Sequence, residues 1–123
     1  MKLYGYWRSG AAWRVRIALN LKGVPFEQQS VNLARGGEQH QPAYRAINPQ
    51  GRIPTLVLDD GTALIQSPAI LEWIEETWPT PPLLPKDPIA RARIRGIASI
   101  IGCDVHPLTN AAGTLPYLRK HLE

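Results

Sequence analysis

Ser9 carries a hydroxyl at the point where a strand-forming run gives way to a helix-forming one. It stands within Trp7-Arg8-Ser9-Gly10-Ala11, between the Leu- and Tyr-rich residues 2–6 and a stretch from Ala11 dominated by Ala, Arg and Leu. The first turn of a helix has N–H groups without intrahelical acceptors and the equivalent of roughly half a positive charge, so an anion is favoured beside it. A serine there can simply cap the helix, for which its side chain is well suited. It can also donate a hydrogen bond to a thiolate carried in by a ligand, because a nearby donor and a helix dipole both stabilise thiolate over thiol.

Gln66-Ser67-Pro68 offers a second helix start, with Ser67 expected as N-cap and Pro68 at the first helical position. The same geometry suits a bound carboxylate. Cys103 is the only cysteine among 123 residues, which excludes an internal disulfide, a Cys-x-x-Cys pair and a cysteine-based zinc site. Thiol chemistry therefore needs a thiol from outside, and no metal is expected. Net charge is +4, from 14 Lys and Arg against 10 Asp and Glu. The basic residues are scattered and not interleaved with aromatics, so nucleic acid is not indicated, and an anionic small molecule accounts for the surplus. Arg8 belongs to no apolar pattern and is a candidate for a substrate carboxylate or for plain solvent exposure. Arg14 falls inside an apolar arc and is expected to be buried and paired.

The elements that must hold these groups follow from periodicity and punctuation. Residues 11–21 place Ala11, Val15, Ile17, Ala18, Leu19 and Leu21 around most of a helical wheel, with Arg16 and Asn20 as a polar strip, which predicts a mostly buried helix. Gly23-Val24-Pro25 stops it. Residues 25–33 read as a strand, 34–37 as a loop and 39–47 as one or two short helical turns ending at Asn48-Pro49. Residues 55–58 and 62–65 form two β-rich runs around Asp59-Asp60-Gly61, a hairpin signal. Ile53-Pro54 precedes them, with trans as the default isomer. The helix from Ser67 turns Ile70, Leu71, Trp73 and Ile74 inward, is expected to leave Glu72, Glu75 and Glu76 in water, and ends at Trp78-Pro79. The order predicts an α/β layer with a mixed four-stranded sheet.

Five of the ten residues 79–88 are proline, the composition of a stiff linker. The predicted organisation is thus a first domain at 1–78, a linker at 79–88 and a partial helical domain at 89–123. In the last of these, Ile94, Ile97, Ala98, Ile101 and Val105 form a helical stripe that needs a partner surface. Beyond it only residues 117–123 resume a helical pattern. Roughly 35 residues cannot build a core alone, so the segment is expected to pack on the first domain, as part of a longer chain, with some of the stripe exposed and a tendency to associate. No apolar run approaches the ~18 residues of a membrane span, and a soluble cytoplasmic protein is expected.

Taken together, Tyr6-Trp7-Arg8-Ser9, residues 13–19 (WRVRIAL), Asn48-Pro49, residues 53–56 (IPTL), Gln66-Ser67 and residues 79–85 (PTPPLLP) make the chain resemble the zeta class of glutathione transferases, from Met1 to about Asn110. The resemblance implies a thioredoxin-like glutathione-binding domain followed by the start of an all-α domain, and a homodimer. It implies glutathione as cofactor, with Ser9 beside the sulfur along with Gly10 and Ala11. The backbone of Ile53, before a cis proline, would pair with the cysteinyl part, and Gln66 and Ser67 would hold the γ-glutamyl end. Gln39, or in another register His40, is implied as a contact, as are His106 and Asn110 from the helical part. Arg8 is the candidate for the substrate.

The activity implied is cis-trans isomerisation of a maleyl dicarboxylate, by reversible thiolate addition, bond rotation and elimination. Two branches are candidates, the maleylacetoacetate and the maleylpyruvate isomerases of aromatic catabolism. Ser9-Gly10-Ala11 replaces the Ser-Ser-Cys typical of the former, and this spelling, with residues 20–25 (NLKGVP) and 102–107 (GCDVHP), is more like the latter. A general transferase or peroxidase, or a non-catalytic thioredoxin-fold binding module, are the alternatives. Turnover of maleyl substrates separates the first from the isomerases, and glutathione binding without turnover would mark the second.

Overall fold

The computed structural model describes residues 1–109 and 114–122, which divide into two units, Met1–Leu83 and Leu84–Glu123. In the first unit the elements are β1 (Lys2–Gly5), α1 (Gly10–Leu21), β2 (Glu27–Ser30), a 3-10 turn (Glu38–His40), α2 (Pro42–Arg45), β3 (Thr55–Val57), β4 (Ala63–Ile65) and α3 (Ser67–Thr77). The sheet is mixed, in the order β2-β1-β3-β4. β1 runs parallel to β2 and antiparallel to β3, and β3 and β4 form the antiparallel hairpin that Asp-Gly predicts.

Alternation along β1 decides which helix lies on which face. Leu3 points to the core with Leu56, against Val15, Ala18 and Leu19 of α1 and Ile70 and Ile74 of α3. Tyr4 points the other way and its ring meets Tyr44 of α2 at 6.0 Å. Gly5 lets α1 approach the strand, since an added Cβ would lie 3.0 Å from the Ala12 methyl.

α1 is less buried than the wheel predicts. It seats a face made of Ala11, Ala12, Val15, Ala18 and Leu19, and the opposite face leaves Trp13 61%, Ile17 51% and Leu21 57% exposed. Arg14, at the margin between the two, is half-buried rather than buried.

Glu75 corrects the sequence reading more sharply. It does not face water: it is buried and accepts a hydrogen bond at 2.5 Å from Nζ of Lys22, the residue that ends α1. Lys22 also donates to the carbonyl of Pro81, and the Glu75 carboxylate accepts the N–H of Leu83. Pro81 and Leu83, in the proline-rich stretch after α3, are therefore fastened within the first unit by a buried ion pair. The peptide bond before Pro81 is cis, as is that between Ile53 and Pro54, where the trans default is overturned and the resemblance is followed.

The second unit contains α4 (Pro88–Ser99), a π-helical segment (Ile100–Val105), α5 (His106–Thr109) and α6 (Thr114–Leu122). Asp87 caps α4 by accepting the N–H of Ala90. The stripe is exposed as expected, from 41% at Ile94 to 60% at Ile97. Its last turn is wound as π-helix, which periodicity alone does not anticipate. Among the described residues no helix is long and apolar enough to cross a membrane and no group of His, Cys, Asp and Glu could hold a metal.

Candidate functional site

Strand register gathers the sequence-predicted residues of the first unit at one end of the sheet. Tyr4 pairs with Thr55, and β1 and β3 run in opposite directions, so the residues leaving β1 towards Ser9 lie at the same end as Ile53-Pro54 entering β3. Thr55 also pairs with Ile65, which brings Gln66 and Ser67 to that end. β2 is parallel to β1, and the N–H of Val31 donates to the carbonyl of Gly5 at 2.7 Å; the loop carrying Gln39 begins there too. This is the carboxyl end of the two parallel strands, where open α/β sheets bind ligands.

Ser9 is the N-cap of α1: its Oγ accepts the N–H of Ala12 at 3.2 Å. Capping uses a lone pair and leaves the hydroxyl proton free to be donated, so the structural and chemical roles coexist. Gly10 and Ala11 open the helix and direct their N–H groups out of its positive end. Arg8 is exposed, with its guanidinium carbon 5.7 Å from the Trp7 ring centroid.

At α3 the cap is Gln66, not Ser67. Gln66 adopts φ 69°, ψ 111°, the one positive-φ residue other than glycine among those described. This turns the chain so sharply that Ser67 is already the first helical residue, and the Gln66 side chain makes no cap bond. A conformation of this kind costs about 1–3 kcal/mol and is characteristic of sites where a ligand is held. Ser67 is buried, so its hydroxyl and the first-turn N–H groups sit in a sheltered donor cluster suited to a carboxylate.

Gln39 is buried in the 3-10 turn, and its Oε1 has no hydrogen-bond partner. A buried acceptor left without a donor is costly, and a ligand N–H would complete it. His40, the alternative in the other register, is exposed. The turn is fixed from both sides. Glu38 accepts the N–H of Asn32 at 2.6 Å. Gly51, at φ 62°, lies so close that an added Cβ would stand 2.9 Å from the Gln39 carbonyl and 3.0 Å from His40 Nδ1. Gly51→Ala is accordingly expected to lose about 1–3 kcal/mol of stability by denaturant titration, from the left-handed backbone and the clash together.

Two features escaped the sequence reading. Gln50 approaches the site, its Oε1 accepting from Nε2 of Gln66 at 2.8 Å. Beneath it Tyr44, Asn48 and Thr55 form a buried polar knot around the carbonyl of Arg52. Burial is the main cause that pushes the Tyr44 hydroxyl pKa up from 10.0, so it stays protonated and able to donate. The only available signal was Asn48 ahead of the Gln-Gly turn, which is too common to single out. His106 opens α5 in the second unit and is half-buried. Asn110 lies outside the described residues.

Comparison with known proteins identifies the family. The model of the glutathione S-transferase N-terminal domain matches residues 8–77. Maleylacetoacetate isomerase of Pseudomonas aeruginosa is 59% identical over 113 residues, which is 91% of this chain and 53% of that protein. A holo structure of a bacterial maleylpyruvate isomerase, described as zeta class, superimposes with a TM-score of 0.91 at 52% identity, covering 99% of this chain and 56% of its own. A maleylacetoacetate isomerase from Methylobacterium extorquens AM1 with bound malonate and glutathione gives a TM-score of 0.91 at 48% identity, covering 100% of this chain and 57% of its own. The chain thus spans about half the length of the curated relatives it matches.

Proposed function

The chain belongs to the glutathione S-transferase family, which it joins through the N-terminal domain, and on that premise we propose that it binds glutathione at the carboxyl end of its sheet and serves the cis-trans isomerisation of a maleyl dicarboxylate. The observation that carries the reading is the orphaned Oε1 of Gln39. It is a buried acceptor at the same sheet end as two helix N-termini, and a peptide-like ligand with N–H groups, a thiol and carboxylates answers all three at once.

Bound glutathione supplies a thiolate able to add reversibly to a conjugated cis double bond. The chain's own residues then have distinct tasks. Ser9 donates a hydrogen bond from its hydroxyl to the sulfur while it caps α1, and Gly10 and Ala11 add the field of the helix end. The backbone of Ile53 pairs with the cysteinyl backbone as an added strand edge. Ser67 and the first turn of α3 hold the γ-glutamyl carboxylate, with Gln66 beside it. Gln39 accepts a ligand N–H. Arg8, exposed beside Ser9, is available to a carboxylate of the substrate. The relative that holds malonate together with glutathione supports a small dicarboxylate as the substrate class. A homodimer is part of the same reading.

Calorimetric titration with glutathione, followed by a spectrophotometric assay of maleyl-to-fumaryl conversion with and without glutathione, tests the proposal. Saturable binding and strictly glutathione-dependent isomerisation are expected. Conversion of generic electrophiles but not of maleyl substrates would overturn the isomerase assignment, and absence of glutathione binding would overturn the whole. Ser67→Ala is expected to weaken glutathione by about 1–3 kcal/mol through a lost charge-assisted hydrogen bond. A dissociation constant equal to that of the unsubstituted chain would remove Ser67 from the site.

A further inference from the structure

We propose that Asn48 is a positioning residue that sets glutathione affinity by holding three separate parts of the site in register, an inference that rests on the glutathione reading above. Asn48 is 1% exposed. Its Nδ2 donates to the carbonyl of Arg52 at 2.8 Å and to Oγ1 of Thr55 at 3.0 Å. Its Oδ1 accepts the N–H of Gln50 at 3.0 Å, and its backbone carbonyl accepts the N–H of Gly51 at 2.9 Å.

An amide has two donor hydrogens and one carbonyl oxygen, so both ends of this side chain are engaged. The donor end grips Arg52 and Thr55, the residues flanking Ile53-Pro54. Between those two clamped points the backbone of Ile53 has little freedom to move away from a ligand. The acceptor end fixes Gln50, whose side chain accepts from Gln66, so the same residue steadies the strained cap that presents Ser67. Gly51, locked in the same turn, abuts the carbonyl of Gln39. Three ligand-facing segments therefore take their positions from one buried side chain that does not itself meet the ligand.

Tyr44 supplies an independent way to loosen the donor side. Its hydroxyl lies 2.7 Å from the Arg52 carbonyl and 2.8 Å from Thr55 Oγ1. Removing that oxygen leaves the ring against Tyr4 and the connections of Asn48 to Gln50 intact.

Neither an acid of the same size nor a small apolar residue reproduces the arrangement. Asp at position 48 keeps an acceptor for Gln50 but meets the Arg52 carbonyl with a second acceptor, and Ala abandons all three side-chain bonds.

The test uses the full chain with Asn48→Asp, Asn48→Ala and Tyr44→Phe, reading glutathione dissociation constants by calorimetry well below each variant's thermal midpoint. Amide hydrogen exchange in the absence of ligand reports whether the fold persists. The expected result is a roughly tenfold or greater loss of affinity for Asn48→Asp and a smaller one for Tyr44→Phe, with slow-exchanging core amides in β1 and α1 unchanged and faster exchange confined to residues 50–53 and 66–67. Asn48→Ala covers the case in which the aspartate variant fails to fold. Native affinity in a folded Asn48 variant overturns the inference while leaving the glutathione reading standing. So does a uniform rise in exchange across the core, because that marks a general structural role. An unsubstituted chain that fails to bind glutathione overturns both.

Discussion

Lys22→Met is expected to cost about 3–5 kcal/mol of folding free energy, and Glu75→Gln to be comparably damaging. The side chain of Lys22 is wholly inaccessible and that of Glu75 7% accessible, so removing the cation leaves a buried carboxylate without the ammonium, beside the N–H of Leu83. Removing the anion strands an ammonium beside the carbonyl of Pro81. Surface pairs contribute about 0–1 kcal/mol. The contrast arises because the cost of an uncompensated buried charge exceeds the net value of the pair itself. Against a typical total of about 5–15 kcal/mol, either single change would leave the first unit close to its unfolding threshold.

The double variant Lys22→Met/Glu75→Gln discriminates between the sources of that loss. It removes both charges while keeping an amide oxygen for Leu83 and an unbranched side chain of similar length in place of the lysine. Most of the single-variant cost should be recovered, giving a coupling energy of about 2 kcal/mol or more in a denaturation cycle. Single-variant losses under about 1 kcal/mol, the level of an exposed pair, would show that the pair is solvated in solution. The pair joins the end of α1 to α3 and to the proline segment, and α1 carries Ser9 at its other end. Loosening it is thus expected to reach glutathione binding through the seating of α1.

This pair was not legible in the sequence, for a reason that applies to other parts of the chain. Lys22 and Glu75 are 53 residues apart, and on a helical wheel Glu75 falls at the flank of the apolar face of α3, where a carboxylate is equally at home in water. Periodicity assigns a face to a residue but does not pair polar residues across elements. The same blindness hid the Tyr44, Asn48 and Thr55 knot, whose members come from α2, the turn after it and β3. What was legible rests on local rules: the Ser9 cap, the Asp-Gly hairpin and the stop at Gly23, which has φ 67°. Gln66 is a case between. Ser-Pro marked the helix start to within a residue, yet Ser67 is inside the helix, because the cap is set by a strained backbone at Gln66 for which the sequence has no local signal. For α1 the wheel overestimated burial, since Trp13, Ile17 and Leu21 are apolar but face away from the sheet.

On the proposed function, Ser9→Gly is expected to raise the thiol pKa of bound glutathione by about 1–2 and to lower isomerase turnover by about ten- to hundredfold. Glycine is chosen over alanine because it is itself an acceptable N-cap, costing a few tenths of a kcal/mol where alanine costs about 0.5–2. The variant therefore deletes the hydroxyl while α1 still starts at its proper place. The sign follows from which protonation state the hydroxyl favours. As a donor Ser9 stabilises thiolate over thiol and depresses the pKa below the free value of about 8.5, so its removal lets the pKa rise. At a pH below both values, each rise of 1 in the pKa lowers the thiolate fraction about tenfold. The loss of turnover should be largest at low pH and shrink as pH rises through the new pKa, where thiolate again predominates without help. A structural role for Ser9 makes a different prediction: a lowered thermal midpoint with an unshifted thiol titration. Ultraviolet absorbance of the thiolate across pH, in the complex with glutathione, reads the pKa directly. An unchanged titration in a variant that binds glutathione normally would leave Ser9 as a helix cap and assign thiolate stabilisation to the N–H groups of Gly10 and Ala11.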